Sequence, residues 1–428
     1  MQLLLNYMPL FKILAVFAAM LIGIRCKCGL GNAILGGGLL LGLVFGMSPA
    51  ALAQSALEGL GNEKTAYLAA IVGFILVLSD LLDKTGQAQR VMQAVSGYLR
   101  HPRLRLAFFP ALIGLLPMPG GAVFSAPMVK SIAEGMDIED VDKVVINYWF
   151  RHLWEYCWPL YPGLILAASL GDMPIINLAI HGIPGTLAAI GVGWWFILRP
   201  KALTLATPPI PLNAPTASNS LGYTLVQGLP LLIGIVGALA LEGVIAAVAP
   251  GFSYELGVVA ALAAAVIVCA AQNSFPVRRL GALFVSKHLM RMLYVIVAIF
   301  IFKEILQNTG AIAELARLAG GGAALVASAV ILPYLAGMVG GIAVGFVGAT
   351  FPLILGMLDQ LGLQHQTLAY LVLGMFSGLA GVMTSPLHIC FILTCQYFNV
   401  GLGRAWRKIM TPSAIVLAVG VAYFYILR

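Results

Sequence analysis

The sequence predicts an all-α polytopic membrane protein, with about ten transmembrane helices and two re-entrant hairpins arranged as two inverted repeats. Three observations carry that prediction. Hydrophobic residues fill 61% and charged residues 9% of 428 positions, where a soluble globular chain carries roughly 25% charged residues. Apolar runs close to the about 20 residues that a bilayer crossing needs recur along the whole chain. The chain also repeats itself. ILVLSDLLDKTG at 75–86 matches IFIFKEILQNTG at 299–310, FPALIG at 109–114 falls on LPYLAG at 332–337, SAP at 125–127 on TFP at 350–352, and Pro159 on Pro386. These landmarks keep one order at offsets of 223 to 227 residues, the pattern of two copies of one unit.

The first crossing, 8–24, is long for a signal-peptide core and has no small-residue cleavage site before Arg25, so it reads as a retained helix. Crossings follow at 30–50 and 64–83. Between 104 and 134 the stretch LPMPGGAVFSAP, 116–127, combines Pro117, Pro119, Gly120, Gly121 and Pro127, which forbid a continuous helix and predict a broken hairpin. Crossings at 144–170 and 174–198 complete a first half, 1–200. The Pro-, Ser-, Thr- and Asn-rich stretch over 201–220 reads as an exposed linker. The second half, 221–428, repeats the plan with crossings at 221–248, 254–272, 288–307, 367–397 and 404–428 and a hairpin at 322–357.

Five crossings per half is an odd number, so the second half enters the membrane from the opposite face. With the N-terminus outside, eighteen lysines and arginines fall in cytoplasmic loops and only Lys64, Arg317 and Arg428 fall outside, as the positive-inside rule requires. The hairpin at 104–134 then enters from the cytoplasm and that at 322–357 from outside, in a multi-pass protein of the cytoplasmic membrane. The net charge of +8 serves this topology, and no nucleic-acid partner is expected. The six cysteines are scattered, only Cys26 and Cys28 lie close together, and neither disulfides nor a metal site is expected from their spacing. There is no P-loop, no HExxH and no nucleophile elbow, so the chain reads as neither an enzyme nor an ATP-driven pump, without a cofactor.

Irregular backbone at membrane depth is tolerated only where it is buried in protein or lines a wet cavity. Four such breaks are predicted: the tips PMPGGAVFSAP at 117–127 and GFVGATFP at 345–352, and CWPLYPG at 157–163 and MTSPLH at 383–388 inside two crossings. In transporters built from inverted repeats, broken helices meet near the midplane, helix N-termini favouring anions and free carbonyls favouring cations. Candidate contacts are therefore Pro119, Gly120, Gly121 and Ser125 at one tip, Gly348 and Thr350 at the other, and Thr384, Ser385 and His388 at the second crossing break.

Ionisable side chains inside the bilayer each cost about 2.5–3.5 kcal/mol at a helix centre, and NYWFRHLWEYCWP, 147–159, concentrates them. On a helix Asn147, Arg151 and Glu155 share one face. Arg151 and His152 are candidate anion contacts with Glu155 as counter-ion or proton carrier; alternatively Arg151 and Glu155 form an internal ion pair. A Na⁺ site near Gly120, Ser125, Thr350 and Ser385 is left open. Asp80, Lys303 and Glu304 read as snorkelling or locally paired groups, and Glu242 has no assigned role.

The stretches LPMPGGAVFSAPMV, 116–129, and NYWFRHLWEYCWPLYPG, 147–163, resemble a family of bacterial and archaeal integral membrane proteins of undefined function, placed in the ion transporter superfamily with gluconate, citrate and dicarboxylate permeases, arsenite carriers and some sodium/proton antiporters. The likeness covers nearly the whole chain. It implies a scaffold domain that dimerises and a transport domain of hairpins and broken helices that moves as an elevator. The Ser-Asn-Thr signature of the sodium/dicarboxylate branch is missing from both tips. The expected activity is secondary transport of a small organic anion coupled to Na⁺ or H⁺ by a homodimer; the alternatives are a cation/proton antiporter, and a channel or non-transporting receptor.

Overall fold

A computed structural model describes residues 8–96, 102–115, 121–134, 136–199, 221–249, 251–319 and 322–428. The described residues are mostly helical, without an extended strand. The predicted tip residues Pro119 and Gly120, and the linker 201–220, lie outside them.

The chain begins with α1 (Met8–Arg25), α2 (Leu30–Val44), a short α3 (Pro49–Gly61), the long α4 (Glu63–Lys84) and a short α5 (Gln87–Ser96). Local sequence sets these ends: Ser48 accepts from Ala51 N and Asn62 from Lys64 N as N-caps. The first hairpin is α6 (Pro102–Gly114) and α7 (Ala122–Ala133). At 1.5 Å per residue its 13- and 12-residue arms reach only about 20 Å, short of a hydrocarbon core of about 30 Å.

The next crossing is broken as expected. Helix α8 (Asp140–Arg151) passes into a 3₁₀ turn at Leu153–Tyr156, and the chain is non-helical until α9 (Pro162–Leu170). Helix α10 (Ile175–Gly193) closes the half. Its first N–H, from Ile175, donates to the buried Glu242 Oε1 at 3.0 Å, which gives Glu242 the role that the sequence left unassigned: a carboxylate at a helix N-terminus.

The second half runs α11 (Leu221–Leu232), a π-turn at Ile233–Gly237, α12 (Ala238–Val248), α13 (Glu255–Gln272), short α14 (Val277–Phe284), long α15 (Lys287–Asn308) and short α16 (Ala311–Ala319). The second hairpin is α17 (Gly322–Gly340) and α18 (Ala343–Gln360), followed by α19 (Thr367–Met383), a break, α20 (Ile389–Tyr397) and α21 (Leu402–Leu427).

This hairpin departs from expectation. Its turn is Gly341, at φ +64°, and α18 runs unbroken through the 345–352 stretch that was expected to form the tip. Glycine reaches the left-handed region without strain, whereas Pro352 inside an apolar helix loses one hydrogen bond that neighbouring groups re-satisfy. The arms, of 19 and 18 residues, are each long enough to span.

Among the described residues nine helices are long and apolar enough to cross a membrane, as a multi-pass membrane protein requires. The expected crossing at 288–307 is a 22-residue helix outside that set, and its Lys303 pairs locally with Glu304 at 3.7 Å. Large apolar side chains such as Ile22, Leu187 and Ile267 are more than 60% exposed on the outward faces, which suits lipid rather than water. Helices pack inward on small residues. The extensive α17–α19 contact is one example, where Gly337 lies against Gly378 O and Gly381 against Tyr334 O.

Candidate functional site

Arg151, the last residue of α8, is 3% exposed. Its guanidinium lies over Gly121, where an added Cβ would stand 2.5 Å from Nη2 and 2.9 Å from Cζ. Gly121 occupies the N-cap position of α7. A full cationic group thus stands on the end of a helix whose unpaired N–H groups already carry partial positive charge. Helix α7 packs against α20, whose N-cap is His388.

The expected Arg151–Glu155 pair is not among the ion pairs of the described residues; Glu155 Oε1 lies 3.9 Å from His152 Nε2 instead. The physical reason is the end of α8. A spacing of four places two side chains on one face only while the α-helix continues, and beyond Arg151 the backbone tightens into the 3₁₀ turn.

The two crossing breaks meet through their histidines. His152 Nε2 and His388 Nε2 are 3.1 Å apart, with ring centroids 4.9 Å apart and planes at 79°. His152 Nδ1 lies 2.6 Å from Tyr148 O, and His388 Nδ1 2.6 Å from Gly341 O. Cys390 completes a buried group in which the two imidazole nitrogens and the thiol sulfur all lie within 4.8 Å of one another. The sequence spacing had argued against any metal-type cluster; it is formed by residues 236 positions apart.

Asn147 belongs to the same region: its Nδ2 donates to Ala122 O and to Thr394 Oγ1, both at 3.1 Å. Its fully buried Oδ1 has no protein partner among the described residues. Ser125 is buried in α7 and donates to Ala122 O at 3.3 Å. Thr384 and Ser385 shape the second break: Thr384 Oγ1 bonds Ala380 O at 2.9 Å, and Ser385 Oγ donates to Met338 O at 2.6 Å, tying the break to the second hairpin.

Gly348 and Thr350 stand apart from this group. Gly348 packs against the Ile299 side chain of α15, and Thr350 Oγ1 donates to Phe346 O of its own helix at 2.7 Å. Both lie inside α18, because the turn falls at Gly341.

Four contributors escaped sequence reasoning. Tyr148 OH donates to Val382 O at 3.3 Å and Met383 O at 3.1 Å, satisfying carbonyls freed where α19 ends. Trp154 Nε1 and Tyr161 OH do the same for Ala111 O and Gly114 O at the end of α6. Cys390 stands two residues beyond His388 in the first turn of α20, and only its place just after a break and beside a histidine could have drawn notice. A separate cavity of about 290 Å³, lined by Lys303, Gln307, Pro352 and Asp359 among others, lies away from these residues.

No curated protein matches the chain. A family model matches residues 10–427, and the chain belongs to that family, described as protein of unknown function (DUF401).

Proposed function

We propose that the protein is a secondary active transporter that moves a small organic anion, a carboxylate or sugar acid, across the cytoplasmic membrane in symport with Na⁺ or H⁺. One observation carries this reading: the buried Arg151 guanidinium, the N-terminus of α7 and the N-terminus of α20 with its histidine converge where two broken crossings meet. A guanidinium presents a planar fork matched to a carboxylate, and helix N-termini add fixed positive potential without side-chain reorganisation.

Two inverted repeats and an elevator motion belong to the same proposal. The order of long helix, short helix, hairpin, broken crossing and closing helix occurs once over 63–198 and again over 287–427, which supports the repeat. So does the packing of the paired motifs. Gly114, closing FPALIG, lies against Arg151 O, and Gly337, closing LPYLAG, lies against Gly378 O. In this reading the hairpins and broken crossings move as one body against a dimeric scaffold built from the remaining helices, as the resemblance to the ion transporter superfamily implies.

The test uses tag-free protein in proteoliposomes, screened against carboxylates and sugar acids under Na⁺ or H⁺ gradients, after a thermal-shift screen of the same compounds. Saturable uptake that needs one gradient and is lost in Arg151→Gln is the expected result. Na⁺/H⁺ exchange without any organic anion overturns it in favour of an antiporter. Non-saturable flux points to a channel, and folded protein that stabilises on ligand without flux points to a receptor.

A further inference from the structure

We propose that His152, His388 and Cys390 form a zinc-class metal site at the junction of the two broken crossings. The argument begins with the histidine tautomers. Each Nδ1 faces a backbone carbonyl at 2.6 Å, and a carbonyl only accepts, so each Nδ1 carries the hydrogen. Both Nε2 atoms then present lone pairs, and they face one another at 3.1 Å. Two lone pairs at that separation in a buried site repel unless a cation sits between them.

A single proton would serve the two nitrogens and leave the thiol, a weak hydrogen-bonding group, as a bystander at their side. A metal ion uses all three donors, whose atoms already lie within 4.8 Å of one another. Carbonyl acceptors on the far ring nitrogens are the arrangement that orients metal-binding histidines and fixes their tautomer. The donor set selects the ion. Two imidazoles and one thiolate suit a borderline d¹⁰ cation and exclude Na⁺, Mg²⁺ and Ca²⁺, which take oxygen ligands. Glu155 Oε1, 3.9 Å from His152 Nε2, puts a carboxylate oxygen within reach as a fourth donor, and a mixed N, S and O set of four favours Zn²⁺ over Cu⁺. Binding releases the Cys390 thiol proton, so one proton leaves for each ion bound.

A metal here would link the 3₁₀ turn of the first half to the N-terminus of α20 in the second. The inference does not depend on the anion reading: it concerns retention of an ion, measured without transport.

The experiment uses full-length, tag-free protein in detergent carrying Cys26→Ser and Cys28→Ser, because those two exposed cysteines could capture metal by themselves. After chelator stripping, exposure to Zn²⁺ and desalting, the protein should retain about one zinc per chain. Co²⁺ in its place should give a near-ultraviolet thiolate charge-transfer band and visible bands of tetrahedral intensity, a signature that needs no further variant. Cys390→Ser should abolish the charge-transfer band, His388→Gln should weaken metal affinity by about 100-fold or more, and Cys395→Ser should change neither. Failure of the stripped parent to retain zinc, equal retention in Cys390→Ser, retention of Cu⁺ alone, or a Co²⁺ spectrum without the thiolate band would each overturn the proposal.

Discussion

In both halves of the molecule a glycine at the end of a hairpin's first arm presses on the backbone of a broken crossing. Gly114 meets the carbonyl of Arg151, and Gly337 meets that of Gly378. The backbone approach is the same, but the residue that owns the carbonyl is different: the first carries a guanidinium and the second carries no side chain. Both junctions are also closed by short polar bonds: Trp154 to Ala111 O and Tyr161 to Gly114 O at the first, Ser385 to Met338 O and His388 to Gly341 O at the second. The shared feature is steric and serves close packing. The guanidinium stands at the first junction only, so two alike backbone approaches frame a chemically lopsided centre.

The sharpest way to break the comparison is to fill both glycines. A Cβ at either position would overlap a carbonyl oxygen that cannot move without shifting a helix, so Gly114→Ala and Gly337→Ala should each cost about 1–3 kcal/mol or more. Both should lower the melting temperature and the yield of monodisperse protein in detergent. If only one does so, the two junctions are not equivalent.

Next in size is the side chain that distinguishes them. Arg151→Gln should abolish anion uptake, a loss of about 2–5 kcal/mol in binding, and Arg151→Lys should weaken ligand-induced stabilisation while the protein stays folded, since the charge persists without the fork. Since no Arg151–Glu155 ion pair occurs among the described residues and Glu155 Oε1 lies 3.9 Å from His152 Nε2, a double-mutant cycle of Arg151→Gln and Glu155→Gln should be additive within about 0.5 kcal/mol. If the double variant regains the stability that Arg151→Gln alone loses, the two charges form a structural pair after all.

A smaller effect is expected at the bonds that close the second junction. Tyr148→Phe removes the donor to Met383 O and one of two donors to Val382 O, which keeps the Ser385 N–H, and should cost about 1–3 kcal/mol of stability. Ser385→Ala, losing its bond to Met338 O, should cost about 1 kcal/mol. Thermal melts of the two variants against the parent rank them, and a reversed order would show that the second hairpin, not Tyr148, holds the break. The smallest effect belongs to the linker. Lengthening the chain between Thr204 and Ser218 should leave uptake unchanged, because its composition suits an exposed connection; lost uptake with folded protein would give the linker a role in coupling the halves.

Helices and crossing breaks were legible in the sequence because both are local. Prolines at 159, 162 and 386 stop a helix wherever the chain carries them, and hydropathy alone marks a span. The second hairpin tip was misplaced for an equally local reason. Gly345, Gly348 and Pro352 look like a break, yet all three are accommodated within α18, Gly348 against Ile299, and the true turn is the neighbouring Gly341.

The sequence by itself determined that this chain is an apolar helical protein, where most helices start and stop, and that it carries two like motifs, FPALIG and LPYLAG. Only the tertiary structure decided which buried polar groups share a centre. Spacing along a helix cannot say that Glu155 turns to His152 once α8 ends, nor that His152 and His388, neither of which falls on the other in the repeat register, touch across 236 residues. Contacts of that kind depend on how broken helices pack against one another, and backbone groups freed at each break must find partners wherever the fold brings them.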